Sequence, residues 1–398
     1  MKKAFVIDIL RTPIGKYAGI LSSIRPDDLG ALVIKALIDR NSTFDFNHVE
    51  DVIFGAANQA GEDNRNVARM AALMAGLPKE TAGVTVNRLC ASGLQAIMDA
   101  SRAIMLGEGD AYIAGGVESM SRAPFVTAKS ETAFGRKIES YDTSIGWRFV
   151  NPKLSQLYHP YSMGETAENV AEKWEITRED QDNFAHSSQL KYEEAHQAGK
   201  FKEEMIPVEI PQQKADSIVM DKDEHPRLSS LEKLASLKPV FRNGGSVTAA
   251  SSSGINDGAA ACLIVNEDMV EKYNLNPIAE VISMAVAGVH PDCMGVGPVP
   301  ATNKALKRAG LKVEDLDLVE LNEAFAAQSI ACIRDLGLNE EIVNVNGGAI
   351  ALGHPLGCSG ARISATLIHE MKKRGARYGL ATMCVGVGQG AAIIYKSI

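Results

Sequence analysis

The fold of this chain is set by one stretch, Val84-Thr-Val-Asn-Arg-Leu-Cys90-Ala-Ser-Gly-Leu-Gln-Ala-Ile-Met98. Its β-branched start predicts a strand over residues 84–89, and apolar residues from Leu94 onward recur at helical spacing. Cys90 is therefore expected where a strand turns into a helix. Free backbone N–H groups and the helix dipole favour a thiolate at such a position, which makes Cys90 a candidate nucleophile. The alternative from position alone is a buried structural cysteine.

A second stretch near the C-terminus repeats this pattern. Val343-Asn-Val-Asn precedes Gly357-Cys-Ser-Gly and a long helix, as the strand from Val84 precedes the helix after Cys90. A strand and a glycine-rich turn follow each time, at Gly115-Gly116 and at Gly386-Val-Gly388. The repetition suggests two related halves that face one another. A site at their junction would draw residues from both halves.

Strand and helix character alternate along the chain on both sides of a distinct middle region. Strands are predicted at residues 4–9, 51–55, 110–115, 259–265, 316–321, 378–384 and 390–395. Helices are predicted at residues 28–38, 64–75, 302–309, 324–336 and 360–374. The alternation is typical of an α/β protein built from βαβ units.

The middle region, from about Ser121 to Gly245, is richer in charged and aromatic residues and contains both tryptophans. Helices are predicted there at residues 164–174 and 177–198, the latter with a capping box in which Asp180 replaces the usual Glu after Thr177. We interpret the region as an insertion that helps to build a binding site. We therefore predict three units in the chain. They are residues 1–120 together with 246–270, the insert at 121–245, and residues 271–398.

Composition narrows the functional classes. The 398 residues are 45% hydrophobic but only 6% aromatic and include 35 glycines, which suits closely packed helices and sheets. A net charge of -8 argues against nucleic acid or an anionic membrane as the main partner. The apolar runs are too short to span a bilayer, and the first ten residues have the pattern of a strand and not of a signal peptide. Six scattered cysteines without a CxxC pair predict neither disulfides nor structural zinc, and they favour a reducing cytoplasm.

Three further motifs carry chemically useful side chains. His354 lies between glycine and proline in a glycine-rich loop, where it can act as the general base for a nucleophile or simply be solvated. Cys384 precedes a turn at Gly386 whose backbone N–H groups can bind an oxyanion, and the alternative is an ordinary glycine-rich hairpin turn. Asn322 can hold a water or donate to a carbonyl oxygen, and its alternative is a helix N-cap. All these residues are expected at strand–helix turns, where α/β sheets place their ligands.

The motifs around these residues resemble those of the thiolase family. They are Asn-Arg-Leu-Cys90-Ala-Ser-Gly, Asn322-Glu-Ala-Phe, Gly-His354-Pro-Leu-Gly-Cys-Ser-Gly and Cys384-Val-Gly-Val-Gly-Gln-Gly. The resemblance begins at Arg11-Thr-Pro-Ile-Gly, includes Gly115-Gly-Val-Glu-Ser-Met-Ser and Ser253-Gly-Ile-Asn-Asp-Gly-Ala-Ala, and extends over essentially the whole chain. It implies a five-layered α-β-α-β-α fold of two similar halves with an inserted loop domain that binds coenzyme A.

The resemblance also implies a mechanism. Cys90, activated by His354, takes the acyl group as a thioester, and Cys384 removes or returns the α-proton of acetyl-CoA. One oxyanion hole comprises His354 and a water held by Asn322, and the other uses the backbone N–H groups of Cys90 and Gly386. CoA and acyl-CoA are substrates, so neither a metal nor a redox cofactor is expected.

Four residues match family positions that contact CoA. They are Ser253, Phe241, Arg227 and Met163, which line the pantetheine channel or contact the nucleotide in the family. The match at Arg227 crosses a small gap, and a basic residue there suits a nucleotide phosphate. The family further implies a homodimer or homotetramer.

One departure bears on the substrate. Many thiolases that form acetoacetyl-CoA have a histidine where this chain has Ser162. The segments Tyr141-Asp-Thr-Ser-Ile-Gly-Trp-Arg-Phe-Val-Asn and Asn58-Gln-Ala-Gly-Glu-Asp-Asn-Arg-Asn-Val-Ala-Arg are more similar to degradative thiolases of fatty acid metabolism and β-oxidation, particularly the 3-oxoadipyl-CoA type. A dicarboxylic chain needs a positive partner, for which Arg148 is a candidate. The alternative for Arg148 is an ordinary surface ion pair.

Together, the motifs and the resemblance indicate an acyltransferase that cleaves 3-oxoacyl-CoA with CoA. A biosynthetic acetyl-CoA acetyltransferase would use the same residues with a narrower acyl pocket. A decarboxylating ketosynthase typically pairs its cysteine with two histidines, whereas this chain has Cys384 at the final motif. A catalytically silent acyl-CoA carrier would not need all four catalytic side chains.

Overall fold

The computed structural model describes residues 2–212 and 214–398. Met1 and Gln213, which belong to the ranges given above for the N-terminal unit and the insert, lie outside the described residues. The part of the chain before the insert contains strands β1 (Phe5–Arg11), β2 (Gly15–Lys16), β3 (Val49–Gly55), β4 (Ala82–Val86) and β5 (Ala111–Ser119), and helices α1 (Pro26–Arg40), α2 (Val67–Met74) and α3 (Ser92–Leu106).

The remaining elements fall into two groups. The insert contains strands β6 (Phe125–Thr127), β7 (Ser140–Asp142), β8 (Val208–Ile210) and β9 (Ile218–Met220), and helices α4 (Pro152–Leu157), α5 (Met163–Lys173), α6 (Arg178–Gln197) and α7 (Leu231–Ala235). After it come strands β10 (Asn256–Val265), β11 (Ala279–Gly288), β12 (Leu318–Leu321), β13 (Tyr378–Val385) and β14 (Gln389–Lys396), and helices α8 (Glu267–Tyr273), α9 (Pro298–Ala309), α10 (Ala326–Leu336), α11 (Ala349–Leu352) and α12 (Leu356–Arg374).

The main strands form two half-sheets joined at one edge. Their order is β12-β13-β14-β11-β1-β10-β5-β3-β4, with β2 paired to β10. The two half-sheets are paired where Phe5 and Val6 of β1 face Glu280 and Ala279 of β11. Parallel pairs occur at β3–β4, β3–β5 and β12–β13, and the other pairs are antiparallel, so the sheet is mixed.

Apolar side chains sort the helices into layers around these half-sheets. One cluster joins α1 and α2 to the outer face of the N-terminal half-sheet, and another joins α9 and α10 to the outer face of the C-terminal one. A third cluster joins α3 and α12 to inward-facing residues of both half-sheets. The sequence of layers is helix, sheet, helix, sheet, helix, which confirms the α/β class and the predicted five-layered arrangement.

The two central helices touch through glycine. A Cβ on Gly93 of α3 would overlap the carbonyl oxygen of Gly357, and a Cβ on Gly360 of α12 would overlap the backbone nitrogen of Leu94. Only glycine lets the helix backbones approach this closely. Cys90 precedes α3 and His354 precedes α12 by the same two residues, so the contact places the starts of the helices that follow these two candidates against each other.

The insert packs across the C-terminal half and is tied to the core by charge. In the described residues its strands form only the two small ladders β6–β7 and β8–β9, while α5 and α6 lie against α10. The predicted capping box at Thr177 is confirmed, because Asp180 accepts a hydrogen bond from the Thr177 N–H and Thr177 accepts one from the Asp180 N–H. Arg11 of β1 is fully buried and pairs with Glu204 and Asp223 of the insert.

No helix within residues 2–212 and 214–398 combines the length and apolarity needed to cross a bilayer.

Candidate active site

Cys90 lies in a tight turn between β4 and α3. The strand ends at Val86, three residues earlier than predicted, because Leu89 has a left-handed backbone (φ 46°). The Asn87 side chain accepts a hydrogen bond from the Leu89 N–H (2.8 Å), and Ser92 Oγ accepts one from Arg88 N–H (2.9 Å). These side chains hold the turn, so the predicted placement of Cys90 just before a helix is confirmed.

Backbone N–H groups of both halves lie near the Cys90 thiol. Burial raises the pKa of the thiol to about 11, although the nearby N–H groups of Gly386 and of Cys90 itself oppose that rise. The nearby Glu118 carboxylate raises the pKa slightly further. The expectation that the helix start favours a resting thiolate is therefore wrong, since desolvation outweighs the N–H donors.

His354 is a buried histidine with a defined tautomer. Its Nδ1 lies 2.6 Å from Ser359 Oγ, whose own hydrogen is donated to the Pro355 carbonyl (2.8 Å), so Nδ1–H is the donor of that pair. Nε2 therefore carries the lone pair that can accept a hydrogen bond or a proton. Burial, with a smaller contribution from the Arg362 charge, lowers the pKa of His354 to about 3, so the imidazole is neutral at pH 7.

Asn322 faces the same nitrogen. Its Nδ2 lies 3.4 Å from His354 Nε2, and its backbone N–H donates to the Thr382 carbonyl. The residue is not an N-cap, because α10 begins at Ala326 and its N-cap is Phe325. Among the described residues, the buried Asn322 Oδ1 has no hydrogen-bond partner. That orphaned acceptor is suited to an ordered water or a substrate.

Cys384 is fully buried at the end of β13, in an apolar cluster with Met163, Met294 and Phe325. Burial raises its pKa well above the ordinary value, and the nearby Cys90 and Cys332 add to the rise. Gly386 follows two residues later, where a Cβ would touch Leu89 and approach Met163 Sδ. The structure thus brings Cys90, Cys384 and Gly386 together.

The four residues matched to CoA contacts form a continuous wall beside this cluster. Met163 starts α5 and packs on Cys384. Phe241 is 37% exposed, fills the space over Gly164 and lies edge-on to Phe325 at 6.0 Å. The Ser253 N–H donates to the Ala324 carbonyl next to Phe325 (3.0 Å). These contacts leave an aromatic face open at the rim of the site.

Arg227 is exposed and lies at the end of this wall. Its guanidinium donates to the Ala249 carbonyl (2.8 Å) and contacts His225 Nε2 at 3.0 Å. His225 contacts Gly254, the residue after Ser253, which connects Arg227 to the other three. Burial lowers the pKa of His225 to about 3, so its neutral ring can accept from Arg227. The interaction of Arg227 with a phosphate remains a prediction.

Sequence reasoning gave no role to three buried polar residues that support the site. Glu118 accepts N–H bonds from Ala57 (2.9 Å) and Gly357 (2.8 Å), which ties β5 to the start of α12. Ser359 fixes the His354 tautomer, and Asn256 accepts the His354 N–H (2.9 Å). A signal was present, because Glu118 and Ser359 are polar residues inside the quoted glycine-rich motifs.

The chain is similar over its whole length to known proteins. The thiolase N-terminal domain matches residues 4–268 and the thiolase C-terminal domain matches residues 275–397. The chain is 55% identical over 401 residues to the β-ketoadipyl-CoA thiolase of Acinetobacter baylyi, with 100% of each covered. It is 54% identical over 401 residues, again with 100% of each covered, to the 3-oxoadipyl-CoA/3-oxo-5,6-dehydrosuberyl-CoA thiolase of Escherichia coli K12.

The fold matches a solved structure with bound CoA. The crystal structure of human mitochondrial 3-ketoacyl-CoA thiolase in complex with CoA superposes with a TM-score of 0.93 at 42% identity. The match covers 100% of this chain and 98% of that one. The similarity therefore extends over both halves and the insert.

Proposed function

This chain belongs to the thiolase family of acyltransferases, and on that premise we propose that it cleaves 3-oxoadipyl-CoA with CoA to give acetyl-CoA and succinyl-CoA. The observation that carries the proposed mechanism is the position of the Cys90 thiol near backbone N–H groups of both halves and near the Cys384 thiol. The dicarboxylic substrate is supported by the names of the two relatives at 55% and 54% identity. Those names favour this substrate over the fatty acyl chains of β-oxidation.

In the first half-reaction, His354 Nε2 accepts the Cys90 proton and the thiolate attacks C3 of the substrate. The N–H groups of Cys90 and Gly386 hold the oxyanion that forms there. The C2–C3 bond then breaks, and its electron pair forms the enolate of acetyl-CoA. The protonated His354 and a water on Asn322 stabilise the enolate oxygen, and the Cys384 thiol donates its proton to C2.

In the second half-reaction, the Cys384 thiolate takes the proton of the incoming CoA thiol. The CoA sulfur attacks the succinyl thioester on Cys90 and forms succinyl-CoA. The released Cys90 thiolate recovers its proton from His354. The cycle closes without a metal or redox cofactor, because CoA itself carries both acyl groups. Ser253, Phe241, Arg227 and Met163 would contact its pantetheine arm and nucleotide.

The test is steady-state thiolysis of 3-oxoadipyl-, 3-oxohexanoyl- and acetoacetyl-CoA by the wild type and by Cys90→Ala. We expect the highest kcat/KM for 3-oxoadipyl-CoA and no turnover by the variant. Activity confined to acetoacetyl-CoA would replace the proposal with a biosynthetic acetyl-CoA acetyltransferase. Absence of cleavage of all three would leave a silent acyl-CoA carrier.

A further inference from the structure

Arg148 lies in the insert between β7 and α4, and it is held in an ordered network. Its Nη2 donates to Asn58 Oδ1 at 2.9 Å. Asn58 Nδ2 donates to Thr143 Oγ1 (3.1 Å), and the Thr143 hydroxyl donates to the Pro124 carbonyl (2.6 Å). Because the only hydroxyl hydrogen of Thr143 is used for Pro124, Thr143 Oγ1 must accept from Asn58. The Asn58 amide is therefore oriented with its oxygen toward the guanidinium.

Contacts on both sides of Arg148 lead to the catalytic cluster. The Asn58 N–H donates to Glu118 (3.2 Å), the carboxylate that also accepts from Gly357 at the start of α12 and acts on the Cys90 thiol. On the other side, Trp147 Nε1 donates to the Tyr161 carbonyl (2.9 Å), two residues before Met163. The Trp147-Arg148 segment thus connects the loop that contains Asn58 with the start of α5, the helix that packs on Cys384.

Arg148 carries an unbalanced charge. The residue is half-buried, and within residues 2–212 and 214–398 its side chain makes one hydrogen bond, to a neutral amide, and has no carboxylate oxygen within 4.0 Å. The ordinary ion pair considered from sequence is therefore wrong for the described chain. A guanidinium has five N–H donors in a planar fork that matches a carboxylate, so most of its donors here are unused.

Building on the proposed function, we propose that Arg148 binds the terminal carboxylate of the 3-oxoadipyl chain. Cleavage of the C2–C3 bond leaves a succinyl group on Cys90, whose carboxylate is two methylenes from the thioester carbonyl. The carboxylate of the succinyl group supplies the negative charge that the described residues do not supply to the Arg148 guanidinium. An uncharged acyl group of the same length leaves the half-buried guanidinium unpaired, which gives discrimination between dicarboxylic and simple acyl chains.

The experiment compares kcat/KM for 3-oxoadipyl-CoA and for 3-oxohexanoyl-CoA, which carries a methyl group in place of the carboxylate. The variants are Arg148→Gln and, as a control with the same loss of charge, Arg136→Gln at an exposed position of the insert. We expect Arg148→Gln to lower kcat/KM for 3-oxoadipyl-CoA roughly tenfold to a hundredfold, as for loss of a charged hydrogen bond, and to leave 3-oxohexanoyl-CoA unchanged. Arg136→Gln should change neither value.

Equal losses of kcat/KM on both substrates would overturn the proposal and make Arg148 a structural residue. Unchanged kcat/KM values for both substrates would overturn it as well. If Arg148→Gln does not fold, Arg148→Lys provides the test, because it keeps the charge but loses the planar fork and should weaken 3-oxoadipyl-CoA selectively. Failure of the proposed function looks different, since the wild type itself would then show no preference for 3-oxoadipyl-CoA over 3-oxohexanoyl-CoA.

Discussion

At the scale of single residues, the resting site holds a neutral thiol and a neutral imidazole. Burial raises the pKa of Cys90 to about 11 and lowers the pKa of His354 to about 3. An ion pair between them is therefore disfavoured before substrate binds. The proton moves only when the oxyanion hole and the substrate carbonyl can stabilise the charge that follows.

Alkylation of Cys90 by iodoacetamide reports this protonation state. Since only the thiolate reacts and the pKa lies far above neutrality, the rate should rise about tenfold per pH unit from pH 7 to pH 10. The measurement is modification of the Cys90 peptide by mass spectrometry, with Cys90→Ala to identify reaction at Cys384. A rate that levels off below pH 8 would instead show a stabilised thiolate.

Replacement of Cys384 by serine separates the two half-reactions. A serine hydroxyl is a far weaker acid than a thiol, so Cys384→Ser should lose C–C bond formation by a factor of about 100 or more. Acylation of Cys90 by acetyl-CoA should continue, because it uses His354 and the backbone donors. Radiolabel transfer to the protein and condensation are measured separately. An equal fall in both would remove the acid/base role from Cys384.

At the scale of elements, the departure at Ser162 has a structural explanation. Ser162 is the N-cap of α5, where it accepts from the Glu165 N–H and its own N–H donates to Glu165. Thr177 caps α6 in the same way, away from the catalytic thiols. The loss of a helix cap next to the site can therefore be compared with the loss of the same kind of cap at α6.

Ser162→Ala and Thr177→Ala should each lower the free energy of unfolding by about 1 kcal/mol, the usual cost of losing a cap. Only Ser162→Ala should also change KM, because α5 begins with Met163, which packs on Cys384. Urea unfolding and thiolysis kinetics measure the two effects. A KM change of the same size in Thr177→Ala would mean that α5 has no special role.

Elements were easier to predict than the network that supports the site. The α3, α6 and α12 helices follow from apolar spacing, capping residues and glycine, all of which are local signals. The role of Glu118 could not be predicted, because its partner Gly357 is distant in sequence and becomes a neighbour only through the fold. Arg148 was a candidate from sequence, but its hydrogen bond to the distant Asn58 could not be predicted. The low acidity of the Cys90 thiol was missed for a similar reason, since its burial depends on both halves.

At the scale of the whole molecule, a buried ion cluster joins the insert to the core. Arg11 donates to Glu204 at 2.6 Å and to both Asp223 oxygens at 2.7 and 3.1 Å. The N-terminal Arg-Thr-Pro-Ile-Gly motif therefore has a structural role, because it anchors the region that carries the candidate CoA contacts.

Arg11→Ala should lower the free energy of unfolding by about 3–5 kcal/mol, because it leaves two buried carboxylates without a positively charged partner. Limited proteolysis should then cut preferentially between residues 204 and 240. Arg40→Ala is the matched control, since Arg40 pairs with Asp8 at 3.0 Å near the surface and should cost less than about 1 kcal/mol. Similar effects of the two variants would show that the buried cluster does not hold the insert.

The central claim is that a two-half α/β fold delivers the acyl chain of a 3-oxoacyl-CoA to Cys90. Its most direct test is mass spectrometry of the protein mixed with 3-oxoadipyl-CoA and no added CoA. We predict that acetyl-CoA is released and that the Cys90 peptide carries a succinyl group. This modification should disappear when CoA is added. An unmodified Cys90 during turnover, or acetyl-CoA released by Cys90→Ala, would contradict it.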